Sequence, residues 1–254
     1  MKTIKSYYKE HLEKNRKAKR LIFITLSVLI IISIFIFAKM YKAIMNPNVE
    51  TNENYSLYIY ENDSFENIKE ILYSDSVNIN KKSFEWLAKK LDYPQYIKSG
   101  HYVIKDGMNN NQLLNMLRSG SQTPVRFTFN NIRTLEQLAS RIDEQLELDS
   151  LDFISAVNNN YSLKEMGFNS HNYASLFIPN TYELYWNIDA DEFVEKMINE
   201  YKRFWNEERR HKADNLKLKP IEVSILASIV DKETTKTSEM PRIAGVYLNR
   251  LKNN

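Results

Sequence analysis

The most informative segment of the chain reads Pro220-Ile-Glu-Val-Ser-Ile-Leu-Ala-Ser-Ile-Val-Asp-Lys-Glu233. Proline suits the first position of a helix, because the N–H that it lacks would have no partner there. At about 100° per residue, one broad face collects four aliphatic side chains: Ile225, Leu226, Ile229 and Val230. Glu233 falls in the middle of that face, whereas Asp231 points to the small, polar side. The pattern predicts an amphipathic helix with a single acid on its apolar face.

The apolar surroundings expected for Glu233 would suit a general acid. A carboxyl among aliphatic side chains is desolvated, and desolvation penalises its charged form. The alternative is a glutamate at the end of a helix that has already emerged into solvent, and the helix alone leaves both interpretations open. Because Asp231 and Glu233 lie on different faces, they cannot form a carboxylate pair on one face. Glu222 belongs to the first turn, where the helix dipole favours its anion.

A membrane segment is predicted near the N-terminus. Residues 21–38 form a run of eighteen residues without a charge, and a helix of that length spans about 27 Å, close to the hydrocarbon thickness of a bilayer. Residues 1–20 carry eight Lys and Arg against two Glu, whereas only Lys39 and Lys42 follow the run closely. The positive-inside rule therefore predicts a single-pass protein with a cytoplasmic N-terminus and an extracytoplasmic remainder. A cleavable signal peptide is the alternative.

Composition excludes several classes of site. The chain has no cysteine, which excludes disulfides, thiolate catalysis and the common zinc fingers. The formal charge is +3, but residues 1–20 hold +6, so the rest of the chain sums to −3. No nucleic-acid partner is expected, because such proteins carry positive charge on the folded domain. No metal or other cofactor is expected either, because the four histidines are scattered and none forms a helical pair with another: His11, His101, His171 and His211.

The hydrophobic pattern predicts an α+β fold with five segments. Residues 1–20 are expected to be a cytoplasmic arm, residues 21–38 the membrane helix and residues 39–54 a polar tether. Residues 55–122 show the order strand, helix, helix, strand, helix, which is typical of a compact α+β module. Since this module has no cluster of catalytic side chains, we expect it to bind or to act as a spacer. Residues 123–254 are expected to form a mostly helical domain.

Three segments of the second domain have distinctive patterns. Val125–Phe129 alternates apolar and polar residues as a half-buried strand does. Phe177–Trp186 is predicted to be a polar and aromatic loop with Pro179 at its centre. Its rings would suit a sugar platform, because pyranose rings present apolar faces, although the edge of a tyrosine-rich core is the alternative. Asp191–Lys212 is predicted to be one long helix with a charged outer side.

Several motifs together resemble one known family. In chain order they are Ser99-Gly-His-Tyr102, Leu113-Leu-Asn-Met-Leu-Arg-Ser-Gly120, Phe177-Ile-Pro-Asn-Thr-Tyr182, Leu226-Ala-Ser-Ile-Val-Asp-Lys-Glu-Thr234, Ser238-Glu239 and Ala244-Gly-Val-Tyr-Leu-Asn-Arg-Leu251. With the single N-terminal membrane helix, the chain resembles the MltG (YceG-like) family of endolytic murein lytic transglycosylases over nearly its whole length. The resemblance implies a LysM-like module at 55–122, a YceG-like catalytic domain at 123–254 and a place in the bacterial cytoplasmic (inner) membrane.

The resemblance also implies a reaction on peptidoglycan during cell-wall assembly, with cell-wall synthesis proteins as candidate partners. Members of the family cleave the β-1,4 bond between N-acetylmuramic acid and N-acetylglucosamine within glycan strands. Glu233 matches the catalytic glutamate, which protonates the glycosidic oxygen and then, as a carboxylate, takes the proton of the muramic acid's primary hydroxyl. The product is a 1,6-anhydro sugar formed without water, which explains one acid where ordinary glycosidases use two.

Six further residues are candidates for lining the substrate cleft, each with a purely structural role as the alternative: Asn180, Thr181, Tyr182, Glu239, Asn249 and Arg250. Two features depart from the family pattern. Asp231 stands where many relatives have glutamate, and the chain ends three residues after Leu251. Because relatives continue with a Gln-x-Asp-Pro segment, we expect the C-terminal part of the catalytic domain to be missing.

Two other functions remain open from the sequence. One is a non-catalytic, membrane-tethered protein that binds peptidoglycan or acts as a division scaffold. The other is a conventional hydrolase with two carboxylates, which the different faces of Asp231 and Glu233 disfavour.

Overall fold

The structure, a computed structural model, describes residues 4–74, 77–130 and 132–253. The chain divides into two compact units, Met1–Gln122 and Thr123–Asn254, which we call unit 1 and unit 2. Both units combine helices with short antiparallel strand pairs. The predicted α+β class is therefore confirmed, in a form rich in helix.

The N-terminal element of unit 1 is one long helix, α1, from Ile4 to Met45. Its Lys19–Met45 part is, within the described residues, the one helix long and apolar enough to cross a membrane, and no share of it is buried in the protein. The hydroxyls of Thr25 and Ser27 each donate to a carbonyl of α1 itself, at 2.9 Å, so both hydroxyls have a partner within the helix. By length and composition the helix suits a membrane anchor or a signal sequence.

The remainder of unit 1 consists of short strands and helices in the order β1 Val49–Glu50, β2 Tyr55–Ile59, α2 Phe65–Leu72, β3 Asn78–Ile79, α3 Lys81–Lys90, β4 Gly100–Ile104 and α4 Asn110–Ser119. β1 pairs with β3 and β2 with β4, all antiparallel. Alternation along β2 turns Leu57 and Ile59 into the core. The predicted order of strands and helices is present. The β1–β3 pair was not predicted, because strands of two residues leave no periodic pattern.

The predicted tether at 39–54 is wrong in its first part, because α1 continues to Met45 and its end packs against α3 and α4 of the same unit. Nδ2 of the buried Asn110 donates to the Ala43 carbonyl at 2.8 Å and to Oγ of Ser83 at 3.0 Å. Oδ1 of the same side chain accepts from Asn48 at 2.6 Å. One fully buried amide thus joins the end of α1 to both α3 and α4.

Unit 2 contains the elements β5 Val125–Phe129, α5 Leu135–Gln145, α6 Ser150–Asn159, α7 Tyr161–Glu165, β6 Asn180–Leu184, α8 Ala190–Phe204, α9 Glu207–Asn215, α10 Pro220–Glu233 and α11 Met240–Asn253. The rings of its core pack edge to face: Phe193 of α8 lies 5.6 Å from Phe127 and 5.5 Å from Phe153 between ring centroids. Each such buried ring contributes about 1.5–3 kcal/mol. The core therefore fixes β5 and α6 against α8.

The predicted loop at Phe177–Trp186 is wrong over its middle, because Asn180–Leu184 forms β6 and pairs with β5 in antiparallel register. Tyr182 and Leu184 point into the core while Glu183 between them is exposed, which is the alternation of a strand. The prediction missed this alternation because the aromatic residues of the segment suggested a sugar-binding loop. Pro179 immediately precedes the strand, where its missing N–H breaks no ladder hydrogen bond.

The single helix predicted at Asp191–Lys212 is also wrong, because α8 ends at Phe204 and α9 begins at Glu207. Oδ1 of Asn206 accepts from the Arg209 N–H at 2.9 Å and so caps α9. The prediction failed because an asparagine within a polar run is compatible with a helix interior. Its short amide side chain is, however, more favourable at an N-cap, where it accepts a backbone hydrogen bond.

Candidate active site

α10 begins as the sequence predicts. Pro220 is its first residue, and Oε2 of Glu222 accepts from the Lys219 N–H at 2.6 Å. An acidic residue in the first turn satisfies a backbone donor that has no partner within the helix. α10 packs against α9, α11 and the 3-10 turn Tyr173–Leu176. That turn directly precedes the 177–182 segment, so the start of this segment lies beside α10.

The expected apolar burial of Glu233 is wrong, because the core covers only one edge of the predicted face of α10. Val230 is buried at 6% exposure, whereas Ile225 and Ile229 are exposed at 40% and 37%. Glu233, the last residue of the helix, is exposed. The apolar arc of α10 is broader than the strip that the core covers, so periodicity does not tell which edge is buried.

Tyr247 of α11 holds the Glu233 carboxylate. Its phenol donates to Oε1 of Glu233 at 2.8 Å. The hydrogen bond with this carboxylate, followed by partial desolvation, raises the pKa of Tyr247 above its usual value, and the nearby Arg250 works in the opposite direction. Within the described residues Oε2 of Glu233 makes no hydrogen bond. One oxygen of the acid is therefore oriented by the protein, and the other is available to a ligand.

Arg250 lies one helical turn after Tyr247 on α11. Its guanidinium carbon is 5.6 Å from the centroid of the Tyr247 ring, within the range of a cation–π contact. This places a positive charge beside the Glu233–Tyr247 pair. Asn249 is exposed and lies about 200° from Tyr247 around α11. Of the two candidates on this helix, Arg250 shares a face with the acid's partner and Asn249 does not.

The turn between α10 and α11 involves Glu239 in a network of its own. Oγ1 of Thr234 donates to Oε2 of Glu239 at 3.0 Å and accepts from the Lys236 N–H at 3.1 Å. Nζ of Lys236 lies 3.3 Å from Oε1 of Glu239. Both oxygens of Glu239 therefore have protein partners. The side chain lies near Glu233 along the chain, and its contacts shape the turn that joins the two helices.

The three candidates on β6 have different environments. Oδ1 of Asn180 accepts from the Thr181 N–H at 2.8 Å, and Oγ1 of Thr181 lies 2.8 Å from Oγ1 of Thr128 on β5. Tyr182 is buried at 5% and stacks on Phe129 with 5.6 Å between ring centroids. Burial raises the pKa of Tyr182 to about 12. Tyr182 is thus a core residue, whereas the exposed Asn180 is the member of this set that a ligand can reach.

A metal site is not formed by these side chains. Within residues 4–74, 77–130 and 132–253, no group of three or more His, Asp or Glu side chains is arranged to hold an ion.

The sequence profile of the YceG-like family matches residues 57–254. The chain belongs to the YceG-like family. YceG-like proteins are the MltG family of the sequence-based resemblance, so that assignment is confirmed. The match includes all of α10 and α11 and therefore the Glu233–Tyr247 pair. Curated proteins show no match to this sequence.

Solved structures include relatives of the family. Three chains match, and one of them is a crystal structure at 2.6 Å described as that of a yceG-like protein from Listeria monocytogenes. It is 21% identical to this chain, with a TM-score of 0.48, and the alignment covers 80% of this chain and 72% of that one.

Sequence reasoning missed Tyr247, although it lies in the Ala244–Leu251 motif that carries the family resemblance. The spacing of Tyr247 and Arg250 is a usable signal, because residues three apart are neighbours on a helix surface. The pairing with Glu233 is different in kind. It links residues on two helices through the geometry of the intervening turn, which no local pattern shows.

Proposed function

We propose that this protein is an endolytic murein transglycosylase that cleaves the β-1,4 bond between N-acetylmuramic acid and N-acetylglucosamine in peptidoglycan. Membership of the YceG-like family supports the reaction class. The observation that carries the assignment of Glu233 is its 2.8 Å hydrogen bond from Tyr247. An acid that the protein orients through one oxygen is arranged as a general acid–base should be.

In the proposed reaction Glu233 acts twice. The protonated carboxyl gives its proton to the glycosidic oxygen while the bond from C1 of the muramic acid to that oxygen breaks, and the glucosamine leaves with a free 4-hydroxyl. The carboxylate then takes the proton of the muramic acid's C6 hydroxyl as O6 bonds to C1. A 1,6-anhydro end forms, the carboxyl is protonated again and no water is consumed. Because the internal hydroxyl is the nucleophile, a second carboxylate is not required.

Because Glu233 is exposed, the bound substrate itself has to exclude water from the carboxyl. Ile225 and Ile229 present aliphatic surface on the open side of α10, and the apolar face of a pyranose ring can lie against such groups. A glycan strand in that position would exclude water from Glu233 while the proton is transferred. Of the exposed candidates, Arg250 and Asn180 would contact the strand, whereas Asn249 lies on another face of α11 and Glu239 is engaged in the turn.

The proposed location is the bacterial cytoplasmic membrane. The Lys19–Met45 helix would be the anchor, and the excess of Lys and Arg before it would keep the N-terminus cytoplasmic. Unit 2 would then act outside the membrane, on glycan strands under assembly and beside cell-wall synthesis proteins. We retain the LysM-like character of unit 1 as part of this proposal.

A second candidate function is a non-catalytic, membrane-tethered peptidoglycan-binding or scaffold protein. The observation that favours it is the exposure of Glu233, since catalytic acids ordinarily lie in sites from which water is excluded.

A digest of purified, peptide-free glycan strands by the full chain in detergent separates these functions. We expect products with 1,6-anhydro ends, identified by mass spectrometry, and a rate at least about 100-fold lower for Glu233→Gln. The matched control is Asp231→Asn, an exposed acid about 200° away on the same helix, which should keep most activity. Reducing ends instead of anhydro ends would identify a hydrolase, and intact strands that remain bound would identify the scaffold.

A further inference from the structure

Unit 1 contains an open groove at the C-terminal end of α4, away from any residue assigned a role so far. Its volume is about 580 Å³, within the range of small-ligand sites. The lining residues come from α4 and from two loops: Tyr96, Lys98, Asn115, Met116, Arg118, Ser119 and Ser121. Two of them are cations and none is a carboxylate. The groove therefore carries net positive charge, although the chain beyond its N-terminal arm is net negative.

Arg118 is held along one side of the groove. Its guanidinium carbon lies 5.6 Å from the centroid of the Tyr96 ring, and that ring is 52% exposed. Stacking on an aromatic face orients a guanidinium while leaving its N–H groups at the rim for an anion. Within the described residues Arg118 forms no ion pair. Its charge is thus oriented by the protein and not neutralised by it.

Lys98 is held in place by the backbone around it. Its Nζ donates to the Ser119 carbonyl at 3.2 Å, and its own carbonyl accepts from the buried phenol of Tyr102 at 2.9 Å. Gly120 leaves the room for this arrangement, because a Cβ there would come within 2.8 Å of Cδ of Lys98. An ammonium group has three N–H donors. One of them is used at the end of α4, and no carboxylate within the described residues pairs with the group.

We propose that this groove binds the carboxylates of the short peptides that peptidoglycan strands carry on their muramic acids, a proposal that rests on the proposed function. Arg118 and Lys98 recognise the carboxylates, and Tyr96 and Met116 contact the small aliphatic side chains between them. A neutral sugar leaves both cations without a counter-charge. A phosphodiester polymer satisfies the charges and leaves the tyrosine and methionine surfaces without an apolar partner.

Peptide binding at this groove has a consequence for the whole chain. A strand held by its peptides has a high effective concentration at unit 2 of the same molecule. Peptide-bearing strands should therefore be better substrates than peptide-free strands at low concentration. The peptides should lower KM and leave kcat unchanged, because the groove takes no part in the bond cleavage.

The test measures binding and cleavage separately, with the full chain in detergent. The binding probe is a soluble tetrapeptide, L-Ala-γ-D-Glu-diaminopimelate-D-Ala. Its dissociation constant is measured by calorimetry at low and at moderate salt. Arg118→Gln is expected to weaken its binding roughly 10-fold or more, and Lys98→Gln to act in the same direction, since each removes a charge-assisted contact. The control Lys105→Gln removes an exposed cation of unit 1 that does not line the groove and should change the affinity less than about twofold.

Further outcomes decide between ligands. The fully amidated peptide should bind at least about 10-fold more weakly, and Arg118→Gln should raise KM on peptide-bearing strands without changing cleavage of peptide-free strands. Equal binding of the amidated peptide, absence of peptide binding, or tighter binding of a glycerol-phosphate oligomer would each overturn the proposal. The binding results do not depend on Glu233, whose own test uses cleavage of peptide-free glycan, so failure of the groove and failure of the proposed function can be told apart.

Discussion

The phenol of Tyr247 donates a hydrogen bond of 2.8 Å to Oε1 of Glu233 and so joins α11 to the last residue of α10. A side chain at a helix end has many rotamers open to it when it is exposed. The hydrogen bond selects one of them and fixes the direction of the second carboxyl oxygen. We therefore regard Tyr247 as a positioning residue for Glu233.

Tyr247→Phe should lower the rate of anhydro-product formation by about 10-fold while leaving the thermal unfolding temperature almost unchanged. The expected loss corresponds to one hydrogen bond to a charged group, and the bond is too exposed to matter much for stability. Tyr161→Phe, at an exposed tyrosine of α7, is the control. An unchanged rate would refute the positioning role.

Glu239→Gln should keep at least about a third of the activity and lower the free energy of unfolding by no more than about 1 kcal/mol, as for other exposed ion pairs. Both oxygens of Glu239 are engaged by Thr234 and Lys236, so its role is to shape the turn after Glu233. The measurement pairs strand cleavage with thermal unfolding. Loss of activity as severe as that of Glu233→Gln, with unfolding unchanged, would show that Glu239 contacts the substrate.

Asn110→Ala should destabilise unit 1 by about 2–4 kcal/mol, because it removes three hydrogen bonds of a fully buried amide and leaves their partners incompletely satisfied. It should also loosen the joint between α1 and α3. The check combines thermal unfolding with spin-label distances from the end of α1 to α3. Asn115→Ala, at an exposed asparagine of the same helix, should cost less than about 0.5 kcal/mol. Equal behaviour of the two variants would mean that the joint does not depend on this amide.

Stability should fall as the pH rises from about 10 toward 12. Burial raises the pKa of Tyr102, Tyr182 and Tyr201 to about 12, above the ordinary value near 10 in the unfolded chain. The folded state therefore holds these protons more tightly, so the stabilisation is complete below pH 10 and is lost as the pH approaches the folded-state pKa. Unfolding temperatures between pH 8 and 11.5, followed with phenolate absorbance, test this directly.

Two substitutions test whether these tyrosines cause the loss of stability at alkaline pH. The Tyr201 hydroxyl is buried without a hydrogen-bond partner in the described part of the chain, so Tyr201→Phe should be neutral or slightly stabilising at pH 7. The Tyr102 hydroxyl donates to the Lys98 carbonyl at 2.9 Å, so Tyr102→Phe should cost about 1 kcal/mol. Both variants should lose less stability than the parent above pH 10. The same alkaline loss in all three proteins would assign it to other groups.

Local pattern and tertiary contacts contributed differently to the candidate site. The helix from Pro220 to Glu233 was predictable, because both signals for it, the helical spacing of the apolar residues and the proline at the first position, come from residues close in sequence. The burial of Glu233 was predicted wrongly, because the apolar arc of α10 is wider than the strip covered by the core. The partner of Glu233 was not predicted, because Tyr247 reaches it across the Thr234–Glu239 turn.

In the fold, too, some features follow from local sequence pattern and others from tertiary contacts. The sequence by itself determined the apolar N-terminal helix, the alternation of β5 and the family of the chain, since each depends on the order and spacing of neighbouring residues. Only the tertiary structure decided that α1 is joined to α3 and α4 through Asn110, that β6 pairs with β5, and that Tyr247 binds Glu233. These contacts join residues distant in sequence, and their energy depends on which surfaces meet when the chain closes on itself.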